Sequence, residues 1–162
     1  SVTLGPGMKG MGVDIFIATV GKSYTMTADV EVGADGNGVI VCQGGRFGGF
    51  TFFINKGRPT FTYNYLGQEK FEVAGSGGLS PGKHTIVYDF KSDGGLGAGG
   101  TGTMTVDGNK VGEGRIGKTQ PGIFSVDDLA DVGTDDGTPV TEYGGSPKFK
   151  GTLNKVTIEV RK

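Results

Sequence analysis

Five residues of this chain carry groups that together could recognise a saccharide. Arg46 offers a planar fork of donors suited to a carboxylate or a sulfate. Asn64, Thr101 and Thr103 can both give and accept hydrogen bonds, and Tyr65 presents a ring face on which a sugar could stack. A plainer reading is available for the aromatics: strand alternation puts Phe61, Tyr63 and Tyr65 on one face, where they would form a core between two sheets. Arg46 follows two glycines and precedes Phe47-Gly48-Gly49. A sharply bent backbone there would either pin Arg46 on an internal acid, with Asp127 or Asp128 as partners, or present it to an anionic ligand.

A second chemistry is calcium binding. Asp127, Asp128, Asp131, Asp135 and Asp136 crowd one short segment. Calcium takes roughly six to eight oxygen ligands, which aspartates and carbonyls can supply. Asp131 and Asp135 are the expected first ligands, although the spacing is not that of an EF-hand and acidic loops are often simply solvated. Two further motifs lead nowhere. His84, the single histidine, sits in an alternating strand with no nucleophile-elbow or paired-histidine pattern to make it catalytic. The Gly-x-Gly-x-x-Gly spelling that begins at Gly95 is followed by a strand, Thr101-Gly-Thr-Met-Thr, and not by the helix that a dinucleotide loop requires.

The elements that would position these residues are strands. Positions 23–32 alternate without error, with Tyr24, Met26, Ala28, Val30 and Val32 opposite Ser23, Thr25, Thr27, Asp29 and Glu31. Val39-Ile-Val-Cys42 reads as a strand buried on both faces. Runs at 50–54 and 60–65 flank a turn at Asn55-Lys56-Gly57, and a short strand follows at 69–74. His84, Ile86, Tyr88 and Phe90 share a face of the next strand. Thr101 to Val106 and Lys110 to Ile116 flank Asp107-Gly108-Asn109, a strong hairpin signal. Positions 117–145 read mostly as loop, with a short strand near 123–126, and Val156, Ile158 and Val160 alternate in a closing strand.

Composition supports that picture. The chain has 34 glycines in 162 residues, about three times the ordinary ~7%, which predicts many tight turns. No stretch free of Gly and Pro exceeds 11 residues, leaving little room for a long helix. A formal charge of −1 lacks the basic excess that nucleic acid or an anionic membrane favours. No apolar run approaches the ~18 residues of a membrane span. Cys42 is alone, so no intrachain disulfide forms, but compartment stays open. The start at Ser1-Val2-Thr3 suggests a processed chain or an excised domain. Residues 1–162 are expected to form one all-β domain, an antiparallel jelly-roll β-sandwich of about ten strands.

Two motifs narrow the class. Phe149-x-Gly-x-Leu-x-x-Val-x-Ile158 and the hairpin Met104-Thr-Val-Asp-Gly-Asn-Lys-Val111 resemble concanavalin A-like and laminin G-like sandwiches. More specifically, the chain resembles the C-terminal sandwich domain of long bacterial arylsulfatases. The resemblance rests on Gln43-Gly-Gly-Arg-Phe-Gly-Gly49, Tyr63-Asn-Tyr-Leu-Gly67, Pro81-Gly-Lys-His-Thr85 and Ala130-Asp-Val-Gly-Thr-Asp-Asp-Gly-Thr-Pro-Val140, among others. It implies a non-catalytic accessory domain that packs on a sulfatase catalytic domain or extends it, and it carries over no functional residues. Sulfatases themselves use a Cys-x-Pro-x-Arg motif. Cys42-Gln-Gly-Gly-Arg46 has Gly44 in the proline position and lacks the metal-binding carboxylates, so Cys42 reads as a small buried hydrophobe. The alternative function is a free-standing, lectin-like glycan-binding module, with or without calcium. Neither reading makes the isolated domain an enzyme.

Overall fold

The computed structural model describes residues 2–4, 22–34, 36–45, 48–65, 67–95, 98–118, 130–132 and 149–161. Alternation sets the faces of their strands. In chain order these are β1 (Val2–Leu4), β2 (Ser23–Val32), β3 (Gly38–Gly45), β4 (Gly48–Asn55), β5 (Arg58–Tyr65) and β6 (Glu69–Ala74). β7 (Gly82–Ser92), β8 (Gly100–Val106), β9 (Asn109–Ile116), β10 (Ala130–Val132) and β11 (Thr152–Arg161) follow. A six-stranded sheet runs β1-β11-β2-β7-β8-β9 and a five-stranded sheet runs β10-β3-β4-β5-β6. Every pairing is antiparallel.

Two hairpins are closed by two-residue turns with both central residues in the left-handed region. Lys56 and Gly57 have φ of 50° and 81°, and Asp107 and Gly108 have φ of 51° and 84°. That is the type I′ geometry whose twist matches the flanking strands. An Asp tolerates the left-handed region better than most residues, and glycine adopts it freely.

The inward sides of the two sheets meet in one core. β2 contributes the five apolar residues its alternation singles out, all buried. β5 contributes Phe61 and Tyr63, and β7 contributes Ile86, Tyr88 and Phe90. Phe61 stacks on Tyr88 with centroids 3.8 Å apart and planes 9° apart, so an aromatic pair joins the two sheets. All four residues from Val39 to Cys42 are fully buried. Ile40 and Val41 face the main core, while Val39, Cys42 and Phe53 form a small cluster on the outer side of the five-stranded sheet.

The structure adds two short strands to the sequence reading. β1 and β10 form sheet edges where no strand is expected from the pattern. The strand expected near 123–126 falls outside the described residues. Glycine is not confined to turns: Gly100, Gly102, Gly112 and Gly114 lie within β8 and β9. There neighbouring groups come too close for side chains. A methyl group at Gly102 would sit 2.5 Å from the Tyr88 hydroxyl oxygen.

Candidate functional site

The two outer sheet faces differ in access, and that difference decides which residues a ligand can reach. On the five-stranded sheet, Thr51, Thr60, Thr62 and Asn64 point away from the core yet are buried. On the six-stranded sheet, the outward residues of β2, β7 and β8 are half-buried or exposed, among them Thr25, Asp29, Thr85, Asp89, Thr101 and Thr103. The accessible polar face therefore belongs to the six-stranded sheet.

This separates the residues expected to recognise a saccharide together. Phe61 and Tyr63 point inward, so Asn64 points outward from the five-stranded sheet. Gly102 and Met104 point inward, so Thr101 and Thr103 point outward from the other sheet. Asn64 and the two threonines lie on opposite sides of the molecule. Asn64 instead shapes a turn, its Oδ1 accepting a hydrogen bond from the Gly67 amide at 2.9 Å. Thr101 accepts one from Arg115 at 2.9 Å, and Arg115 grips Asp93 through both nitrogens at 2.6 and 3.3 Å. That pair fastens the glycine-rich loop after β7 to β9, and its hydrogen bond holds the Asp93 carboxyl below its ordinary pKa. Thr103 stands between Asp89 of β7 and Glu113 of β9 in register.

Tyr65 is half-buried, and one face of its ring is already occupied. Lys118 Nζ lies 5.6 Å from the ring centroid while pairing with Glu69 at 2.9 Å. Arg46 lies outside the described residues, as do Asp127, Asp128, Asp135 and Asp136. The hairpin that carries Arg46 ends at the Gly45–Gly48 pair, and Gly49 pairs with Asn64. Asp131 is opposite Cys42 in register on β10. Among the described residues no group of three or more His, Cys, Asp or Glu is placed to hold a metal ion.

Sequence reasoning misses a connected polar group around His84. His84 Nδ1 lies 2.6 Å from Asp107 Oδ2, and its Nε2 lies 2.7 Å from the Ser80 carbonyl oxygen. The Ser80 hydroxyl is farther, at 3.5 Å. Ser, His and Asp are thus adjacent, but a carboxylate and a carbonyl only accept hydrogen bonds, so both ring nitrogens must donate. An imidazolium held this way has no lone pair with which to activate the serine. The trio is a clamp between the loop before β7 and the β8–β9 turn, not a catalytic triad. Burial of the ring works to lower its pKa, but the hydrogen bonds it donates to Asp107 and the Ser80 carbonyl, with the charge of Asp107, outweigh that and raise it. Asp107 is lowered, first by the Thr85 amide, which donates to its Oδ1 at 2.8 Å, and then by His84.

These opposite shifts give the clamp a pH window. A raised His pKa stabilises the fold fully below the unfolded value of ~6.5 and loses that contribution as pH rises through the folded value. A lowered Asp pKa stabilises above ~3.9 and is lost as pH falls through the folded value. The clamp is therefore complete between about pH 4 and 6.5. The melting temperature of the wild type relative to His84→Gln should fall as pH rises from about 6.5. A difference that grows on that alkaline side would overturn the assignment.

Beside the clamp is a polar pocket of about 390 Å³. Its floor is the row Lys155, Asp29 and Thr85 on three adjacent strands, and Lys83, Asp107 and Asn154 form its walls. The register of β11 shifts between Leu153 and Lys155, so Asn154 is the extra residue of a β-bulge and projects from the ladder.

With the geometry in place, comparison with known proteins defines the class. No protein family matches the chain in sequence, and no curated protein does either. Solved structures do match in shape. The CBM40 domain of the Ruminococcus gnavus IT-sialidase, in complexes with α2,6 and α2,3 sialyllactose, superposes with a TM-score of 0.65 at 10% identity. In the α2,6 complex the alignment covers 99% of this chain and 94% of that domain. Domains LG4-5 of the mouse laminin α1 chain superpose with a TM-score of 0.56 at 17% identity, covering 98% of this chain and 38% of that one. The fold is thus an antiparallel jelly-roll sandwich of the concanavalin A/laminin G type. Nothing in these matches connects the chain to arylsulfatases.

Proposed function

We propose that this chain is a non-catalytic glycan-binding module. The observation that carries the reading is the likeness, over nearly the whole of both chains, to a carbohydrate-binding domain seen with sialyllactose bound. Two features of this molecule support it. One broad sheet face is polar and accessible. The Ser-His-Asp group, which looks most like catalytic machinery among the described residues, is arranged as a clamp. The accessory role beside a sulfatase catalytic domain is a narrower reading that rests on sequence wording alone, and these matches add nothing to it.

The test is calorimetric titration of the full chain with sialyllactose, a glucuronate-terminated disaccharide, lactose and cellobiose. Binding of at least one, with a matching rise in melting temperature by mass action, is the expected result. A panel in which no sugar binds and no melting curve moves at millimolar concentrations would overturn the reading.

A further inference from the structure

We infer that the pocket walled by Lys83 and the Asn154 bulge takes an acidic saccharide, with Lys83 on the carboxylate and Asn154 and Asp29 on sugar hydroxyls. This rests on the glycan-binding reading and specifies where, and with what charge preference, the module binds.

The pocket's carboxylates are partly engaged, while two of its donors are not. Asp107 accepts one hydrogen bond on each oxygen, from the Thr85 amide at 2.8 Å and from His84 at 2.6 Å. Asp29 Oδ1 takes the Thr85 hydroxyl at 3.1 Å. Asp29 Oδ2 lies 3.9 Å from Lys155 Nζ, too far for a hydrogen bond, and so retains acceptor capacity. Lys83 and the Asn154 amide, by contrast, have no hydrogen-bond or ion-pair partner among the described residues, and Glu31, opposite Lys83 in register, forms no ion pair with it. Two unpartnered donors on the pocket rim, one of them charged, are complementary to a ligand that brings acceptors. A carboxylate supplies the charged acceptor, and hydroxyls, which give as well as accept, match Asn154 and Asp29.

Volume and rigidity agree with this. The pocket, open to solvent and about 390 Å³, lies toward the small end of the roughly 300–1,000 Å³ typical of small-molecule sites, room for a sugar or two. Thr85 ties Asp29 to Asp107, and His84 ties Asp107 to Ser80, so the floor is fixed before a ligand arrives. β-bulges are common where a side chain must be re-aimed beside a site, and this one turns Asn154 out of the ladder.

The test uses the full chain and the same four sugars. Wild type should bind sialyllactose or the glucuronate disaccharide at least about tenfold more tightly than lactose or cellobiose. Lys83→Ala and Asn154→Ala should each weaken acidic-sugar binding about tenfold or more, the usual loss for a hydrogen bond of this kind. Both positions are exposed, so their melting curves should match wild type. Lys110→Ala, which removes an exposed lysine paired with Glu113, should leave binding unchanged. Acidic-sugar affinity untouched by both pocket substitutions would place the glycan site elsewhere and sink this assignment while sparing the module. Equal affinity for the neutral partners would overturn the charge preference. Failure of wild type to bind any sugar would refute the glycan-binding reading itself.

Discussion

Replacing Phe61 with alanine is expected to cost about 3–5 kcal/mol of unfolding free energy, enough to consume much of the ~5–15 kcal/mol that holds an ordinary domain together. The size follows from position. Phe61 is fully buried in β5, inside the five-stranded sheet, and Tyr88 is fully buried in β7, inside the six-stranded sheet. Their stacked rings, with Phe50 of the neighbouring strand 5.8 Å from Phe61, join the two layers. Truncation loses the transfer energy of the ring, leaves a cavity, and forfeits the additional ~0.5–1.5 kcal/mol of an aromatic pair. Tyr88 makes matters worse, because its buried hydroxyl has no hydrogen-bond partner among the described residues and the side chain depends on packing. Urea denaturation would read the loss as a lower midpoint at unchanged slope. Phe61→Leu should fall between wild type and the alanine variant. A loss below about 1 kcal/mol for the alanine variant would mean that the stack does not join the layers.

The inward placement of Phe61 is legible in the sequence because parity along a strand is a local property. The period of two assigns Tyr24 through Val32, and Phe61 with Tyr63, to the core side, and the turn residues mark both type I′ hairpins. What parity cannot give is which sheet a strand joins. It correctly sets Asn64 and Thr101 opposite the apolar side of their own strands, yet the two lie on opposite faces of the molecule. The His84 clamp is hidden for the same reason. Asp107 is 23 positions away and reaches His84 only because β7 and β8 pair and the hairpin turn after β8 lies beside the start of β7. The bulge at Asn154 does leave a local trace: Leu153 and Val156 are both buried and three residues apart, which breaks the period of two.

The glycines of β9 depend on partners just as distant, and substituting one of them should have the second large effect. At Gly112 a β-carbon would collide with the main-chain oxygen of Ala74, and at Gly114 it would press on Val73 Cγ2 at 3.1 Å. β9 is the edge of one sheet and β6 the edge of the other, and the Ser76 amide donates to the Val111 carbonyl at 2.8 Å across that seam. The two edges thus close on each other, which shields strands that would otherwise template pairing with another chain. Glycine in a strand ordinarily weakens it, and an unstrained Gly→Ala change gains about 0.4–1 kcal/mol by restricting the unfolded chain. At Gly112 that gain is outweighed. Overpacking costs ~1–3 kcal/mol, and the upper end applies because the obstacle is backbone and cannot rotate away. Gly112→Ala should therefore lower the urea midpoint, whereas Gly77→Ala, with nothing within 4 Å of the added carbon, should leave it level or slightly raised. If the seam opens, the freed edges should also make the Gly112 variant self-associate, measurable by light scattering as a concentration-dependent rise in mass. A Gly112→Ala protein as stable as the Gly77 control would show that the sheets do not meet at this edge.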